Sequence, residues 1–437
     1  MSFINEFLSA FTVIIMLYCG FVFTIKTKFL PIRKFGETFK ILKGDKNSKG
    51  KISSFQAFAT SVAGTIGVGN IIGVAAAVTI GGAGTVFWIW LSAFLTMAIK
   101  YSEIFLAVKN KNSPVPGAFS YLRKVISKPF LNIYAFLTIA ASLLMGNMVQ
   151  VNAVSEYLSK SFETPPVWCG IALIFICAVP LIGFGKRVFS ILGVLVPIMG
   201  AFFIIGGAAL ISMNAEALPD AFADIFKSAF SFSSLGGAAI FLAINKGVTI
   251  GLISNEAGLG SAAFAHYEAN EDSPHKEALW GVFEVFADSI VVSSITALVL
   301  LVSNTGSVFD AFYKQFGYWG GVFTAVAVFL FGISSVFCWS FYGKTASEFF
   351  SKKMLPIYVT ASIAAVFFGS VLSVETVWKF AEFFNFLMLT INLYGVYRLR
   401  NEVFDNLPCQ NKARNRRYKR DAGRSLPSAV SLNNKFR

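Results

Sequence analysis

Charged residues are scarce in this chain of 437 residues: Asp, Glu, Lys and Arg make up 14% of it, whereas hydrophobic residues make up 55%. A soluble protein of this length needs more charge to cover its surface, so the composition excludes an ordinary soluble domain. Long apolar runs recur along the whole sequence instead. The pattern predicts an all-α integral membrane protein that crosses the bilayer many times.

Residues that carry catalytic or metal chemistry are also few. The chain has two histidines, His266 and His275, which we expect in one polar loop, and five cysteines that show no paired spacing. No phosphate-binding loop or nucleophile motif occurs. We therefore expect neither an enzyme nor an organic cofactor, and no metal cage built from His or Cys.

Eleven apolar segments have a length that can cross a membrane. Their expected bounds are 6–25, 54–80, 83–108, 130–158, 167–185, 187–212, 232–265, 277–303, 318–348, 354–371 and 376–398. The first span and a basic loop form residues 1–53, and the other ten form a core, 54–398. Two sets of five, about 54–212 and 232–398, run through the bilayer in opposite directions because five is odd. The count thus predicts an inverted repeat.

The placement of Lys and Arg predicts the orientation, because these residues mark cytoplasmic loops. The segment 26–51 contains nine of them and the tail from Arg398 contains eleven. We expect the N-terminus outside and the C-terminus inside, in the plasma (inner) membrane. The tail, 399–437, is expected to be disordered and to touch anionic lipid rather than nucleic acid.

Two of the spans are interrupted by glycine, in the stretches "AGTIGVGN" (63–70) and "NKGVTIGLISNEAGLG" (245–260). An unwound backbone survives at membrane depth only where it faces protein or a wet cavity. Two breaks at corresponding positions of two repeats predict a transporter binding site near the midplane. The alternative role of small residues is close helix packing.

The breaks and the polar residues inside the spans supply the candidate site. Freed carbonyls can bind a cation, and half-helix N-termini favour a carboxylate. The candidate substrate contacts are Thr65, Gly69, Asn70, Asn147, Gln150, Val248, Thr249, Ile250 and Trp339. Helix capping or interhelical hydrogen bonding is the alternative role for the polar ones.

Three further polar residues are candidates for structural or coupling roles: Asn255, Glu256 and Asp288. Asn255 and Glu256 are expected to open the second half of the broken seventh span, where a carboxylate stabilises a helix N-terminus. Asp288 and Glu284 are both candidate partners for Lys246, a charge that needs one at membrane depth.

Four stretches resemble signature segments of the alanine/glycine:cation symporters, also called sodium:alanine symporters. They are "SVAGTIGVGNIIGVA", "FWIWLSAFLTMAIKYSE", "ISNEAGLGSAAFAH" and "LMLTINL". The resemblance covers about residues 54–397 and implies a leucine-transporter-type fold, with one N-terminal helix before a five-plus-five inverted repeat. At Ile250 family members usually carry arginine, so substrate range or coupling can differ here.

The resemblance also implies a Na⁺ site. In five-plus-five transporters two hydroxyls of the eighth core helix face carbonyls of the first break, which here are Ser334 and Ser335 opposite Gly64 and Gly67. Oxygen ligands suit such a hard cation. Trp339, four residues after Ser335, lies on the same helix face and is expected to close one wall of the substrate pocket.

These expectations describe a secondary active symporter that imports a small neutral amino acid, such as alanine or glycine, by alternating access. Na⁺ is the expected coupling ion, with H⁺ as the alternative. Two other functions stay open at this point: a gradient-independent channel or facilitator, and a transporter-like sensor of amino acids.

Overall fold

The computed structural model describes residues 2–44, 51–182, 185–230 and 236–407, and these ranges fold into helices without a β-strand. The helices of the first part are α1 (Ser2–Lys26), α2 (Leu30–Arg33), α3 (Phe35–Gly44), α4 (Ser54–Thr65), α5 (Ile72–Gly81), α6 (Thr85–Lys109), α7 (Ala118–Leu122), α8 (Lys128–Ala141), α9 (Val149–Phe162), α10 (Pro166–Ile182), α11 (Lys186–Met213) and α12 (Leu218–Ala229).

The second part repeats the alternation of long apolar helices and short connecting ones. Its helices are α13 (Gly236–Asn255), α14 (Ala262–Tyr267), α15 (Pro274–Val285), α16 (Ser293–Ser303), α17 (Val308–Phe316), α18 (Tyr318–Phe350), α19 (Leu355–Val371), α20 (Val374–Arg398) and α21 (Arg400–Phe404). The most enclosed of the long helices are α6 and α18, whose apolar and small residues pack on all sides.

Within the described ranges, seven helical stretches are long and apolar enough to cross a membrane, and the bent pair α4–α5 makes an eighth. The chain is therefore a multi-pass membrane protein, as predicted. The number eleven stays a prediction, as do the division into 1–53, 54–398 and 399–437 and the orientation. Residues 45–50 of the basic loop, and the tail from 408 onward, lie outside the described residues.

The first break lies where the sequence predicts it. Helix α4 begins at a capping box, in which Ser53 and Gln56 satisfy each other's backbone N–H groups, and it ends at Thr65. One turn of 3₁₀ helix, Val68–Asn70, connects it to α5, and the two halves are bent by 55°. The prediction of an interrupted span is confirmed here.

The second break is displaced from its predicted position. Helix α13 continues through residues 245–255, and the interruption comprises only 256–261, before α14. Two glycines that suggested unwinding serve packing instead: a Cβ on Gly247 would lie 2.6 Å from the carbonyl oxygen of Thr85, and one on Gly251 would lie 2.2 Å from Ser92 Oγ. The expectation of a freed backbone at Val248, Thr249 and Ile250 is therefore wrong.

Two helices contain a π-helical turn near their middle. Ser142–Met148 separates α8 from α9, and Phe286–Val292 separates α15 from α16. Such turns are rare and occur frequently at functional sites. Here they contain Asn147 and Asp288, two of the polar residues that the sequence singled out.

Candidate functional site

The first break is enclosed by side chains of α9 and α18. The backbone N–H of Val68 donates to Gln150 Oε1 over 3.1 Å, and Ser335 Oγ donates to the carbonyl oxygen of Ala63 over 2.7 Å. A Cβ on Gly67 would lie 2.6 Å from Ser335 Oγ and 2.8 Å from Gln150 Oε1. Only glycine fits at this close approach of three elements.

Two buried amides have unpartnered atoms among the described residues: Asn70 in the first break, and Asn147, three residues before Gln150. Asn147 is fully buried, and neither atom of its amide has a hydrogen-bond partner among the described residues. Asn70 is equally buried, and its Oδ1 also lacks a partner in the described ranges. Although Gly69 is buried, a Cβ there would meet no heavy atom within 4 Å, so open space faces it. Buried amides without partners are costly, and this arrangement is typical of a place where a polar ligand binds.

Trp339 forms one side of this region. It is fully buried, its Nε1 donates to Glu256 Oε1 over 2.9 Å, and its Cβ would lie 2.1 Å from a Cβ on Gly146. The indole is thus held between the π-helical turn 142–148 and the second break. Tryptophan in a membrane helix often serves as an interfacial anchor instead, but the buried position of Trp339 within α18 argues against that role.

The two hydroxyls of the predicted Na⁺ site, Ser334 and Ser335, point in different directions. Ser335 points to the first break, as described above. Ser334, also buried, donates to the carbonyl oxygen of Phe331 over 2.9 Å and lies 3.2 Å from Met199 Sδ of α11. Thr65 donates within its own helix to Val62.

Asn70 links the first break to the π-helical turn of residues 286–292. Its Nδ2 donates to Asp288 Oδ1 over 2.8 Å, and Ser254 Oγ and Ser289 Oγ donate to the same carboxylate. Asp288 is fully buried. The carboxylate therefore connects the first broken helix, through Asn70, with the end of α13, through Ser254.

Polar groups of the second break, three of the backbone and the Glu256 carboxylate, are satisfied by buried side chains from four helices. Asn392 of α20 donates to the carbonyl oxygen of Gly258, and Tyr134 of α8 donates to that of Leu259. The N–H of Gly260 donates to Glu103 of α6, and Glu256 accepts from Trp339 of α18. This is how an unwound segment persists at membrane depth.

The conformation of the second break explains its composition. Gly258 and Gly260 have φ angles of +93° and +78°, in the region that favours glycine, and Glu256 also has a positive φ of 54°. A Cβ on Gly260 would in addition lie 2.6 Å from the hydroxyl oxygen of Tyr134. Glycine is required at both positions.

Several expectations about this second region need correction. Asn255 ends α13 rather than opening the next half-helix, and Glu256 lies within the break. Thr249 bonds to Ser9 and Asn245 on the side of α1, and Val248 is buried in helical packing.

Ile250 faces α5, directly after the first break, whereas Lys246 lacks the expected partner Glu284. The Ile250 side chain lies 3.0 Å from a Cβ built on Gly73. Glu284 pairs with Lys100 at 3.3 Å rather than with Lys246, which lies within electrostatic range of Glu382.

Sequence reasoning missed a group of buried charges beside the second break. Lys100, Glu103, His266 and Glu277 are all fully buried. The expectation that both histidines lie in a polar loop is wrong, because His266 belongs to α14 and His275 to α15. A signal was present: charges inside apolar spans require partners, so Lys100 and Glu103 should have been matched with other buried charges.

The fold has solved counterparts. It is similar to the crystal structure of MhsT in complex with L-phenylalanine (TM-score 0.56, 14% identity, 81% of this chain and 89% of that one). It is also similar to the manganese transporter of Eremococcus coleocola (TM-score 0.54, 14% identity, 79% and 76%). At this identity the likeness concerns the fold alone. The chain has the leucine-transporter-type fold, and this fold together with the sequence family to which the chain belongs makes it a membrane transporter, not an enzyme.

Sequence comparison gives the family. Residues 1–422 match the model of the sodium:alanine symporter family, and the chain belongs to that family. It is 34% identical to the sodium/alanine symporter AgcS of Methanococcus maripaludis, over 94% of this chain and 96% of that protein. It is 32% identical to the probable sodium/glutamine symporter GlnT of Bacillus subtilis (91% and 87%) and 34% identical to the amino-acid carrier protein AlsT of the same organism (92% and 89%).

Proposed function

We propose that this protein couples the import of a small neutral amino acid, alanine or glycine, to an inward Na⁺ gradient by alternating access in the plasma membrane. The observation that carries the proposal is the fully buried amide of Asn147, which has no hydrogen-bond partner among the described residues and lies three residues before Gln150, the side chain that holds the first break. A substrate's ammonium and carboxylate groups are the donor and acceptor that such an amide needs. Membership of a symporter family supports the coupling.

The space around the first break favours a small substrate. Gln150 and Ser335 leave no room for even a methyl group on Gly67, whereas open space faces Gly69. Trp339 packs tightly on Gly146 and closes the other side. We therefore assign Thr65, Gly69, Asn70, Asn147, Gln150 and Trp339 to the substrate region. A side chain much larger than a methyl group would have to displace one of these walls.

The coupling ion would bind between α18 and the end of α4. Ser335 Oγ and the carbonyl oxygen of Ala63 are already adjacent, and the last residues of α4 together with the unwound residues 66 and 67 offer further carbonyl oxygens. Ser334 can contribute only by turning away from Met199. A set of neutral oxygens suits Na⁺, which needs no proton exchange to bind.

Asn70, Asp288 and Ser254 would connect the two ligand regions, because their hydrogen bonds join both broken helices. A ligand that orders the first break would then bias the second, which is the coupling that alternating access requires. Asn255 and Glu256 act as structural residues of that second break.

Uptake into proteoliposomes tests the proposal. Labelled alanine and glycine should accumulate above equilibrium only when Na⁺ is higher outside, and unlabelled glutamine should compete poorly because of its longer side chain. The control is a proton gradient at equal Na⁺. Equilibration of the amino acid that is independent of both gradients would indicate a facilitator. Accumulation driven by the proton gradient alone would make H⁺ the coupling ion instead of Na⁺. Binding of the amino acid without flux would indicate a sensor.

A further inference from the structure

His266 bridges two glutamates in the buried interior. Its Nδ1 lies 2.6 Å from Glu277 Oε1, and its Nε2 lies 2.5 Å from Glu284 Oε1. All three side chains are fully buried. The two glutamates are seven residues apart on one face of α15, so the imidazole of α14 spans two helical turns.

The bridge requires an additional proton. A ring nitrogen without a proton can only accept, and an ionised carboxylate can only accept as well. Two nitrogen–carboxylate bonds therefore need two protons among the three groups, whereas a neutral imidazole brings one. The second proton must be bound from solution.

The charges around the bridge favour that proton. Lys100 of α6 pairs with Glu284 at 3.3 Å, so Lys100, an imidazolium and two carboxylates sum to zero. Loss of the proton would leave one uncompensated charge in the interior, which is costly. Other charged groups lie nearby. Lys111 faces Glu277 electrostatically, and Glu256 lies within electrostatic range of Lys100 and Glu284. The buried carboxyls of Glu103 and Asp288 also lie within electrostatic range of Lys100, and negative charge there favours the proton further. Helix α4 faces the glutamates with hydroxyls only.

The same carboxylates hold other parts of both broken helices. Ser54 and Ser61 of α4 donate to Glu277 Oε2 and Glu284 Oε2 over 2.6 and 2.9 Å. Lys100 donates to the carbonyl oxygen of Asn255, where α13 ends. One half of the first broken helix and both halves of the second thus meet at this cluster.

We propose that His266, Glu277 and Glu284 form a proton-binding site, separate from the Na⁺ and substrate regions, in which His266 is the imidazolium. The bound proton fastens α14 to α15, next to the hydroxyl contacts of α4. Separation of these helices admits water and releases the proton. This last step rests on the proposed transport cycle, whereas the bound proton does not.

Nitrogen NMR tests the bound proton without any transport. The chain contains only two histidines, so ¹⁵N-histidine labelling of the full-length protein in nanodiscs gives two imidazoles, which His275→Gln assigns. We expect His266 to show two protonated nitrogens at pH 7. In Glu277→Gln the introduced amide can donate to Nδ1 of His266. That nitrogen should therefore lose its proton while the protein stays folded. An unprotonated ring nitrogen of His266 in the wild-type protein at pH 7 would overturn the proposal. An imidazolium that persists in Glu277→Gln would overturn it as well.

Uptake at equal pH on both sides tests the release. One obligatory proton release changes the rate by up to about tenfold per pH unit, and we expect alanine uptake to fall by about threefold or more per unit toward acid pH. His266→Gln should flatten this profile, and His275→Gln should retain it. Equal slopes in the two variants would remove the release step. Loss of Na⁺ dependence with the NMR result intact would contradict the proposed function alone.

Discussion

At the scale of single residues, the site depends on polar groups whose partners are missing or shared. The amide of Asn147 has no partner within the part of the chain that the structure describes, whereas Gln150, three residues later, uses its amide to hold the first break. The two residues share a helix and a residue class, yet only the first is left for a ligand. Sequence patterns place both on one face but do not assign the hydrogen bonds.

Removal of the Ser335 hydroxyl tests the Na⁺ site. We expect Ser335→Ala to raise the Na⁺ concentration for half-maximal alanine uptake by about tenfold, equivalent to about 1.4 kcal/mol, because one oxygen ligand is lost. Alanine affinity should fall most at low Na⁺ and recover at saturating Na⁺, since the two sites are linked. Uptake titrated against Na⁺ measures both effects.

The matched control is Ser347→Ala on the same helix. Its hydroxyl is also buried but donates to the carbonyl oxygen of Lys344 within α18. The control should leave the Na⁺ titration unchanged, and Ser334→Ala should have a smaller effect than Ser335→Ala. A Ser335→Ala protein with the wild-type Na⁺ dependence would place the cation elsewhere.

At the scale of helices, the second break depends on α20. Asn392 donates to Gly258 and Glu103 and accepts from Tyr121, so a single side chain satisfies three buried groups. It connects α20 and α7 to the break and to α6. The break is therefore held by its neighbours rather than by its own sequence.

Asn392→Ala should destabilise the fold by about 2 kcal/mol or more, because it leaves buried polar groups without partners. Thermal unfolding in detergent should show an apparent Tm several degrees lower. Asn406→Ala is the control, because that exposed amide donates only to the carbonyl oxygen of Glu402. Equal unfolding temperatures for the two variants would contradict this role of α20.

The two breaks show how far sequence patterns extend. Glycines 64 and 67, followed by a polar Asn70, predicted the first break correctly. At this place the helix is interrupted and other helices also pack closely against its glycines. In the second stretch, Gly247 and Gly251 pack against α6, while Gly258 and Gly260 adopt positive φ angles. Close helix packing and a positive φ angle both favour glycine, so glycine content alone does not show which of the two roles a position has. The partners that decide the matter come from distant helices.

At the scale of the whole molecule, the family and the general architecture followed from the sequence, because signature stretches and apolar spans are local features. The buried charges did not, since Lys100 finds Glu284 and His266 finds Glu277 only in the folded bundle. The orientation in the membrane rests on the distribution of Lys and Arg.

Cysteine labelling of a cysteine-free version tests that orientation. Ala215→Cys should react with a membrane-impermeant maleimide on intact cells, and Ser127→Cys only after permeabilisation; both positions are exposed in the structure. The cysteine-free parent should remain unlabelled. The reverse pattern would invert the topology.

The hydrogen bonds between α4 and α15 have a consequence for biosynthesis. Ser54 and Ser61 each bond to a glutamate that follows 223 residues later. At ribosomal rates of about 5–20 residues per second, that interval lasts about 10–45 s. During this time the first repeat is already in the membrane, and Lys100 does not yet have its native partners, the Glu284 carboxylate and the carbonyl oxygen of Asn255. During synthesis the first repeat should therefore be open to quality-control proteases until the second repeat has been inserted. A truncated protein that contains only the first repeat should stay open to them.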